Sequence, residues 1–167
     1  MMKEPLVTEI MGLFAQIQKR FEAEDDEEKA WLIENAPNRE VAKLVQDMTV
    51  MELHVVDAIG RLGPVNGITI SKQFAIPKGS VSKITRRLLA KQVISKELLP
   101  QNKKEVLFRT TSVGNEVFDL HSKLHERIEV GVTRFLQKYT EEELRLMIRV
   151  LSDSLTASWI NPDGEQR

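Results

Sequence analysis

The chain has 167 residues, of which 41% are hydrophobic and 29% charged, and its formal net charge at pH 7 is −1. This size and balance are typical of one small globular domain, alone or with an oligomerisation element. The absence of cysteine excludes disulfides, thiolate catalysis, thiolate metal sites and thiol-based redox sensing. No apolar run has the length of a membrane span and no secretion pattern opens the chain, so we expect a cytoplasmic protein without membrane contact.

The small net charge hides a strong asymmetry along the chain. Residues 72–109 contain ten Lys or Arg against two acidic residues, which gives +8 for this stretch and leaves −9 for the remainder. Six of the seven residues from 22 to 28 are acidic. A basic stretch in an acidic background is typical of a nucleic-acid-binding lobe.

The chain begins with a predicted amphipathic helix. Apolar residues recur at helical spacing between Leu6 and Phe21, and the helix is expected to begin near Pro5. It continues towards Trp31 and ends before Pro37, with the acidic run either inside the helix or as a kink or loop. A lone helix cannot bury its own apolar stripe, so this one must pack on another element or on a second subunit.

Three shorter helices are predicted next, each from a capping residue. Asn38 caps the first and Thr49 the second, which ends near residue 63. Asn66 is compatible with either a hairpin turn or a helix cap. The cap is favoured because Ile70 and Phe74 follow at helical spacing and the sequence shows no second strand nearby to pair with.

The helix predicted from residue 77 to 89 has one apolar face and one polar, basic face. Val81, Ile84 and Leu88 share the apolar face. The other side combines small hydroxyls with long cations, which allow close approach to base edges and neutralise phosphates. The predicted contacts are a groove set of Ser82, Lys83 and Arg86 and a phosphate or flanking-base set of Lys78, Ser80 and Arg87.

A hairpin follows, with predicted strands at residues 94–99 and 105–110. Val106 and Phe108 alternate on its inward face. The predicted loop, residues 100–104, carries Lys103 and Lys104, which we expect to contact the DNA backbone or minor groove. A basic helix face alone is usually solvated surface. Its combination with a preceding helix and turn and a cationic hairpin favours nucleic-acid binding.

Two long helices close the chain. Thr111 or Ser112 caps the first of them. Thr140 and Glu143 have capping-box spacing for the second, whose apolar stripe is predicted to reach Trp159. Both are too long and too apolar on one face to be covered by a small winged domain. Together with the first helix they are expected to form a two-fold homodimer interface.

The central part of this chain resembles the winged helix-turn-helix of the MarR family of bacterial transcription regulators. The matching stretches are residues 48–53, 77–88, 90–94 and 110–114, and the likeness extends over residues 40–160. The resemblance implies a mainly α fold with a small β wing, long dimerisation helices and a pseudo-palindromic double-stranded DNA operator. The family's wing often carries Asp-x-Arg, where this chain has Asn102-Lys103-Lys104, which keeps the charge without the Asp–Arg bracing.

The predicted domain organisation follows from these elements. Residues 1–47 form a helical dimerisation segment, residues 48–111 the winged helix-turn-helix lobe, residues 112–160 the C-terminal dimerisation helices, and residues 161–167 a disordered tail.

The three histidines form a candidate metal site. His121 and His125 are four residues apart on one helix face, a spacing that is common in exposed pairs without metal and also suits a metal. The resemblance extends to the zinc-sensing branch of the MarR family, in which a histidine at the position of His54 joins such a pair. That branch takes a fourth, carboxylate ligand from the end of the first helix, for which the open candidates are Glu24, Glu27, Glu28 and Glu34.

The expected function is a sequence-specific transcriptional regulator, a repressor rather than an activator, whose DNA affinity is set by a small effector or by zinc. An organic anion or phenolic compound is the competing effector, and no other cofactor is required. A winged-helix protein-interaction module without DNA binding is the alternative. A zinc hydrolase on the histidines is disfavoured because the sequence contains no HExxH motif, so we expect no enzyme activity.

Overall fold

The computed structural model describes residues 3–99 and 102–160, without the side chains of residues 21–25, 99 and 102–104. The predicted fold class, mainly α with a small β wing, is confirmed. The chain forms two compact units, residues 1–125 and 126–167. Its elements are α1 (Lys3–Glu34), α2 (Arg39–Asp47), α3 (Val50–Leu62), β1 (Val65–Asn66), α4 (Gly67–Gln73), α5 (Lys78–Ala90), β2 (Ile94–Leu99), β3 (Asn102–Thr110), α6 (Ser112–Leu136) and α7 (Glu141–Thr156).

Helix α1 is continuous through the acidic run, which decides between the helical and the kinked interpretation. Near its end Leu32 is buried, with 2% of its surface exposed. The apolar stripe of its first half is not covered by the described residues, since Leu6, Ile10 and Ile17 remain 59%, 50% and 47% exposed. Among the helices of the described residues, none combines the length and apolar character needed to cross a bilayer.

The caps of α2 and α3 are those that the sequence predicts. Asn38 Oδ1 accepts a 2.9 Å hydrogen bond from the backbone N–H of Val41. Thr49 and Glu52 form a reciprocal capping box with two bonds of 3.1 Å. These caps place the apolar faces of α2 and α3 in the core of the first unit, whose members here are Val41, Val45, Leu53, Val55, Val56, Ala58 and Ile59.

The sheet has three strands among the described residues, in the order β1-β3-β2, and the prediction of only two strands was wrong. Asn66 caps α4 as predicted, because its Oδ1 accepts from the Thr69 N–H at 2.8 Å. Val65 and Asn66 also pair antiparallel with Phe108 and Leu107. The pairing partner lies far along the chain, so local sequence gave no sign of this strand.

The predicted wing loop at residues 100–104 was too long. Strand β3 begins at Asn102, and Leu99 pairs with Asn102. Residues 100 and 101 between the two strands lie outside the described residues. Lys103 and Lys104 therefore belong to β3 and not to the loop, and their side chains lie outside the described structure.

The wing and α6 meet in a close junction. Thr111 Oγ1 accepts from the N–H of Gly114 at 3.1 Å, so Thr111, not Ser112, is the capping side chain. Its one hydroxyl proton is shared between the carbonyl oxygens of Gln92 at 2.7 Å and Val93 at 3.0 Å. A methyl group added at Gly114 would overlap that same Val93 carbonyl. The first half of α6 then packs on the core through Val117, Leu120 and Leu124.

Helix α7 begins with the predicted capping box between Thr140 and Glu143. It ends at Thr156 because Ala157 is extended, with φ −69° and ψ 134°. The prediction that Trp159 belongs to this helix was therefore wrong. No residue of α7 is buried, and Leu155 is 88% exposed.

Candidate nucleic-acid interface

Helix α5 buries one face and exposes the other, as its spacing predicts. Val81, Ile84 and Leu88 are 2%, 7% and 0% exposed. The candidate DNA contacts of α5 lie on the opposite side of the helix or on its flank. Of these, Ser80 is half-buried, and the exposed ones are Lys78, Ser82, Lys83, Arg86 and Arg87.

The turn between α4 and α5 is held by short-range hydrogen bonds. Ser71 Oγ donates to the carbonyl of Ile76 at 2.6 Å, and the Ile76 N–H returns a 3.2 Å bond to the Ser71 carbonyl. Ala75 has a positive φ of 52°, a left-handed conformation that reverses the chain after α4. The Pro77 carbonyl then accepts from the Ser80 N–H at 2.9 Å, which starts α5.

A cleft of about 530 Å³ separates α5 from strand β3. Lys78 and Ser82 line its helix side, and Glu105 and Val106 line its strand side. Val106 is half-buried, so its inward position leaves one side open to the cleft. Asn66 Nδ2 donates to Glu105 Oε1 at 2.5 Å and fixes the strand against the start of α4. The cleft gives the lobe a groove between a cationic helix and a hairpin.

Sequence reasoning missed a buried carboxylate behind α5. Glu52 is 1% exposed, and its Oε2 accepts a 3.0 Å hydrogen bond from Lys91 Nζ. Arg87 Nη1 lies 3.9 Å from its Oε1. Lys91 Nζ also donates to the Asp47 carbonyl at 2.6 Å. The three-residue spacing of Thr49 and Glu52 is that of a capping box, and this pattern could have drawn attention to Glu52 from the sequence.

The wing carries an ion pair that sequence reasoning also missed. Arg109 Nε and Nη2 both lie 3.2 Å from Glu97 Oε2 across the β2–β3 ladder. Both side chains are about half exposed, so the pair contributes little to stability. It orders the solvent side of the wing away from its tip.

The structure brings the three histidines together beside Asp57. The ring centroids of His54 and His121 are 5.8 Å apart, and those of His121 and His125 are 4.4 Å apart. His121 Nδ1 lies 3.6 Å from Asp57 Oδ1. The other carboxylate oxygen of Asp57 accepts a 2.7 Å hydrogen bond from Arg61 Nε. Helices α3 and α6 thus share a cluster of four titratable side chains and one guanidinium.

Burial, together with the neighbouring His125 and His54, lowers the pKa of His121 from its ordinary value to about 4. The Asp57 carboxylate opposes this shift but does not overcome the loss of solvation. His121 is therefore neutral near pH 7 and able to act as a metal ligand or a hydrogen-bond partner.

The arrangement falls short of a formed metal centre. Over residues 3–99 and 102–160, no group of three or more His, Asp or Glu side chains is placed to hold a metal ion. Of the candidate fourth ligands, Glu28 lines a cavity of about 210 Å³ that also touches His121. Glu27 and Glu34 are exposed, and the side chain of Glu24 lies outside the described residues.

A second cavity of about 400 Å³ opens beside the histidines. Met51 and Phe74 give it apolar walls, and the three imidazoles and Asp57 give it polar ones. Such a mixture of apolar walls and a few convergent polar groups is typical of a small-molecule site. Because Pro77 and Ser80 at the start of α5 also line it, a bound ligand would touch helix α5.

Comparison with known proteins identifies the family. The MarR family model matches residues 48–106. The HTH-type transcriptional regulator PchR of Bacillus subtilis (strain 168) is 35% identical over 123 residues, which cover 74% of this chain and 71% of PchR. The chain belongs to the MarR family. It is therefore a transcriptional regulator, and the prediction that it is not an enzyme is confirmed by its family.

Solved structures share this MarR fold. The Streptococcus pneumoniae FabT–DNA complex has a TM-score of 0.58 at 21% identity, covering 85% of this chain and 94% of that one. The adhesin competence repressor AdcR of Streptococcus pyogenes has a TM-score of 0.63 at 16% identity, covering 90% and 97%. At these identities the similarity concerns the fold.

Proposed function

We propose that this MarR-family regulator is a homodimeric, sequence-specific repressor that reads DNA with α5. The observation that carries the proposal is the exposed face of Ser82, Lys83 and Arg86, opposite the buried face of the same helix. Hydroxyl and cationic side chains on one open helix face supply hydrogen bonds to base edges and charge for phosphates. Lys78, Ser80 and Arg87 contact the flanking backbone, and Lys103 and Lys104 extend the contact from the wing.

The dimer is formed by the terminal helices, with residues 1–47 and 112–160 as dimerisation segments and residues 48–111 as the DNA-binding lobe. The support is the apolar surface that each of these segments leaves exposed. Phe14 of α1 is 49% exposed, Phe135 of α6 is 50% exposed and Leu151 of α7 is 58% exposed. Large apolar side chains left exposed along a helix are typical of a protein interface. A second copy of the chain supplies the same surface in return.

A two-fold dimer presents two copies of α5 to one face of the duplex. In helix-turn-helix dimers the half-sites lie about 34–36 Å apart, one helical turn. The operator is therefore pseudo-palindromic. A dimer bound across a promoter blocks RNA polymerase, which makes the protein a repressor, and the name of its structural relative AdcR agrees with this reading.

The cavity beside the histidines is the proposed control site, and it takes either zinc or a small organic molecule. Three imidazoles at close spacing favour zinc. The apolar walls from Met51 and Phe74 favour an aromatic compound. Zinc titration of the wild type and of a His121→Ala/His125→Ala variant, with operator DNA present, separates the two. An unchanged zinc stoichiometry in the variant would exclude the metal.

The test of DNA binding is a fluorescence anisotropy titration with random-sequence duplex at two salt concentrations. We expect affinity to fall with salt at a slope of about −0.9 per phosphate contact. Absence of binding at low salt would reject the repressor and favour the protein-interaction module. Sequencing genomic fragments retained by the protein, with and without zinc, then identifies the operator and the ligand effect together.

A further inference from the structure

We propose that Glu52 is a positioning residue for DNA binding. Its buried carboxylate holds Arg87 on the flank of α5, in the orientation in which the guanidinium meets a DNA phosphate. The inference rests on the proposed use of α5 as the reading helix.

The two carboxylate oxygens of Glu52 have different partners: Oε2 contacts groups that hold the fold together, and Oε1 faces Arg87 of α5. Its Oε2 accepts from the Thr49 N–H at 3.1 Å and from Lys91 Nζ at 3.0 Å. Its Oε1 lies 3.9 Å from Arg87 Nη1. Lys91 Nζ also donates to the Asp47 carbonyl, which ties the end of α5 to the corner between α2 and α3. Oε2 thus serves the fold, and Oε1 is directed at Arg87.

Burial explains why this carboxylate constrains its partners. The side chain of Glu52 is 2% exposed, and a carboxylate removed from water is strongly destabilising unless cations and hydrogen bonds compensate for the lost solvation. Arg87 lies in the last turn of α5, and Lys91 is the residue that follows the helix. The side chain of Lys91 is 24% exposed, whereas that of Arg87 is 63% exposed. The charge attraction across 3.9 Å therefore restrains one end of the Arg87 guanidinium without a hydrogen bond, and the rest of the side chain stays exposed.

Arg87 is placed where a phosphate contact would extend the reading face. It lies four residues after Lys83, so the two cations are neighbours on the same side of α5. A free arginine side chain loses rotamer freedom when it binds a phosphate, and a side chain that is already restrained loses less. The planar guanidinium can contact Glu52 with one edge and a phosphate with another.

A double-mutant cycle tests the proposal. The variants are Glu52→Gln, Arg87→Ala and the pair, and the readouts are operator affinity by anisotropy and the melting temperature. Glutamine keeps the length of the side chain and an oxygen acceptor for the Thr49 N–H. We expect Glu52→Gln to weaken DNA binding by roughly threefold to tenfold in the wild-type background and to leave it unchanged in the Arg87→Ala background.

Equal weakening in both backgrounds would show that Glu52 acts through the fold alone and would overturn the proposal, as would no weakening in the wild-type background. If Glu52→Gln melts below the assay temperature, Glu52→Asp replaces it, because aspartate keeps the charge and withdraws the carboxylate from Arg87. Arg86→Ala separates this inference from the proposed function. Unchanged binding by Arg86→Ala and Arg87→Ala would reject α5 as the reading helix, whereas loss with Arg86→Ala alone would reject only the role of Arg87.

Discussion

His121 Nδ1 lies 3.6 Å from Asp57 Oδ1, and neither atom has a hydrogen-bond partner among the described residues. A buried polar atom without a partner costs about 1–3 kcal/mol, so this contact between α3 and α6 is a weak point of the core. It lies in the wall of the cavity that we propose as the control site. A ligand that satisfies either atom would gain affinity and stabilise the packing of α3 on α6.

Protonation of His121 should destabilise the protein as the pH falls. The folded-state pKa of His121 is about 4, below its ordinary value, chiefly because the ring is buried. The unfolded chain therefore binds the proton first, and stability is lost between about pH 6.5 and pH 4. We expect a loss of about 2 kcal/mol between pH 7 and pH 5, measured by urea unfolding with a chelator present and at fixed protein concentration.

The control for this experiment is His121→Met, which replaces the imidazole with a non-titrating side chain. His54, His125 and Asp57 act on the ring, Arg61 pairs with Asp57, and all four side chains are left in place. The variant should lose less stability over the same pH range. Equal losses in the two proteins would mean that other groups cause the pH dependence.

Arg86→Ala should weaken operator binding by about 1–3 kcal/mol and relax preference at one base position, as expected for an arginine that contacts guanine. The measurement is anisotropy with an operator series substituted one base pair at a time. Lys123→Ala removes a cation from α6 that is also exposed, and it is the matched control. A loss that is uniform over all sequences would assign Arg86 to a phosphate.

Leu151→Glu should convert the dimer to a monomer and remove tight operator binding. A charge in the centre of an apolar interface remains unpaired on association, which is strongly unfavourable. Leu98→Glu is the control, because Leu98 of the wing strand and Leu151 are both 58% exposed. Sedimentation velocity should show a dimer for the control. A Leu151→Glu protein that sediments as the wild type does would exclude α7 from the interface.

Gln92→Gly should stabilise the fold by about 0.5–1 kcal/mol, measured by urea unfolding. Gln92 has a positive φ of 56° just after α5, where glycine carries no steric penalty. Its carbonyl oxygen, which accepts from Thr111 Oγ1 at 2.7 Å, is unaffected by the change. Gln46→Gly, at an exposed position within α2, should instead destabilise the protein by a similar amount. The same sign for both variants would contradict this explanation.

Local patterns predicted the helices well because their signals lie within one or two turns. Val81, Ile84 and Leu88 identify the buried face of α5, and the side chains of Asn38 and Thr49 mark where α2 and α3 begin. Such signals need only spacing and capping chemistry. The orientation of the candidate reading face follows directly from them.

The errors concern long-range pairing and helix ends. Strand β1 depends on Phe108 and Leu107, which no local pattern around Val65 reveals. Trp159 continues the apolar spacing of α7 although the helix has ended at Thr156. Spacing also places His121 and His125 on one face, but the approach of Asp57 from another helix is a property of the tertiary structure. The contacts of Glu52 with Arg87 and Lys91 of a distant segment likewise depend on the tertiary structure.

Glycine at position 114 lets the first turn of α6 touch the carbonyl of Val93 at the root of the wing, where an added methyl group would overlap it. No space remains at this point between the first turn of α6 and the start of the wing. A rotation of the first turn of α6 about its axis would therefore push Val93, at the start of the wing, in the same direction.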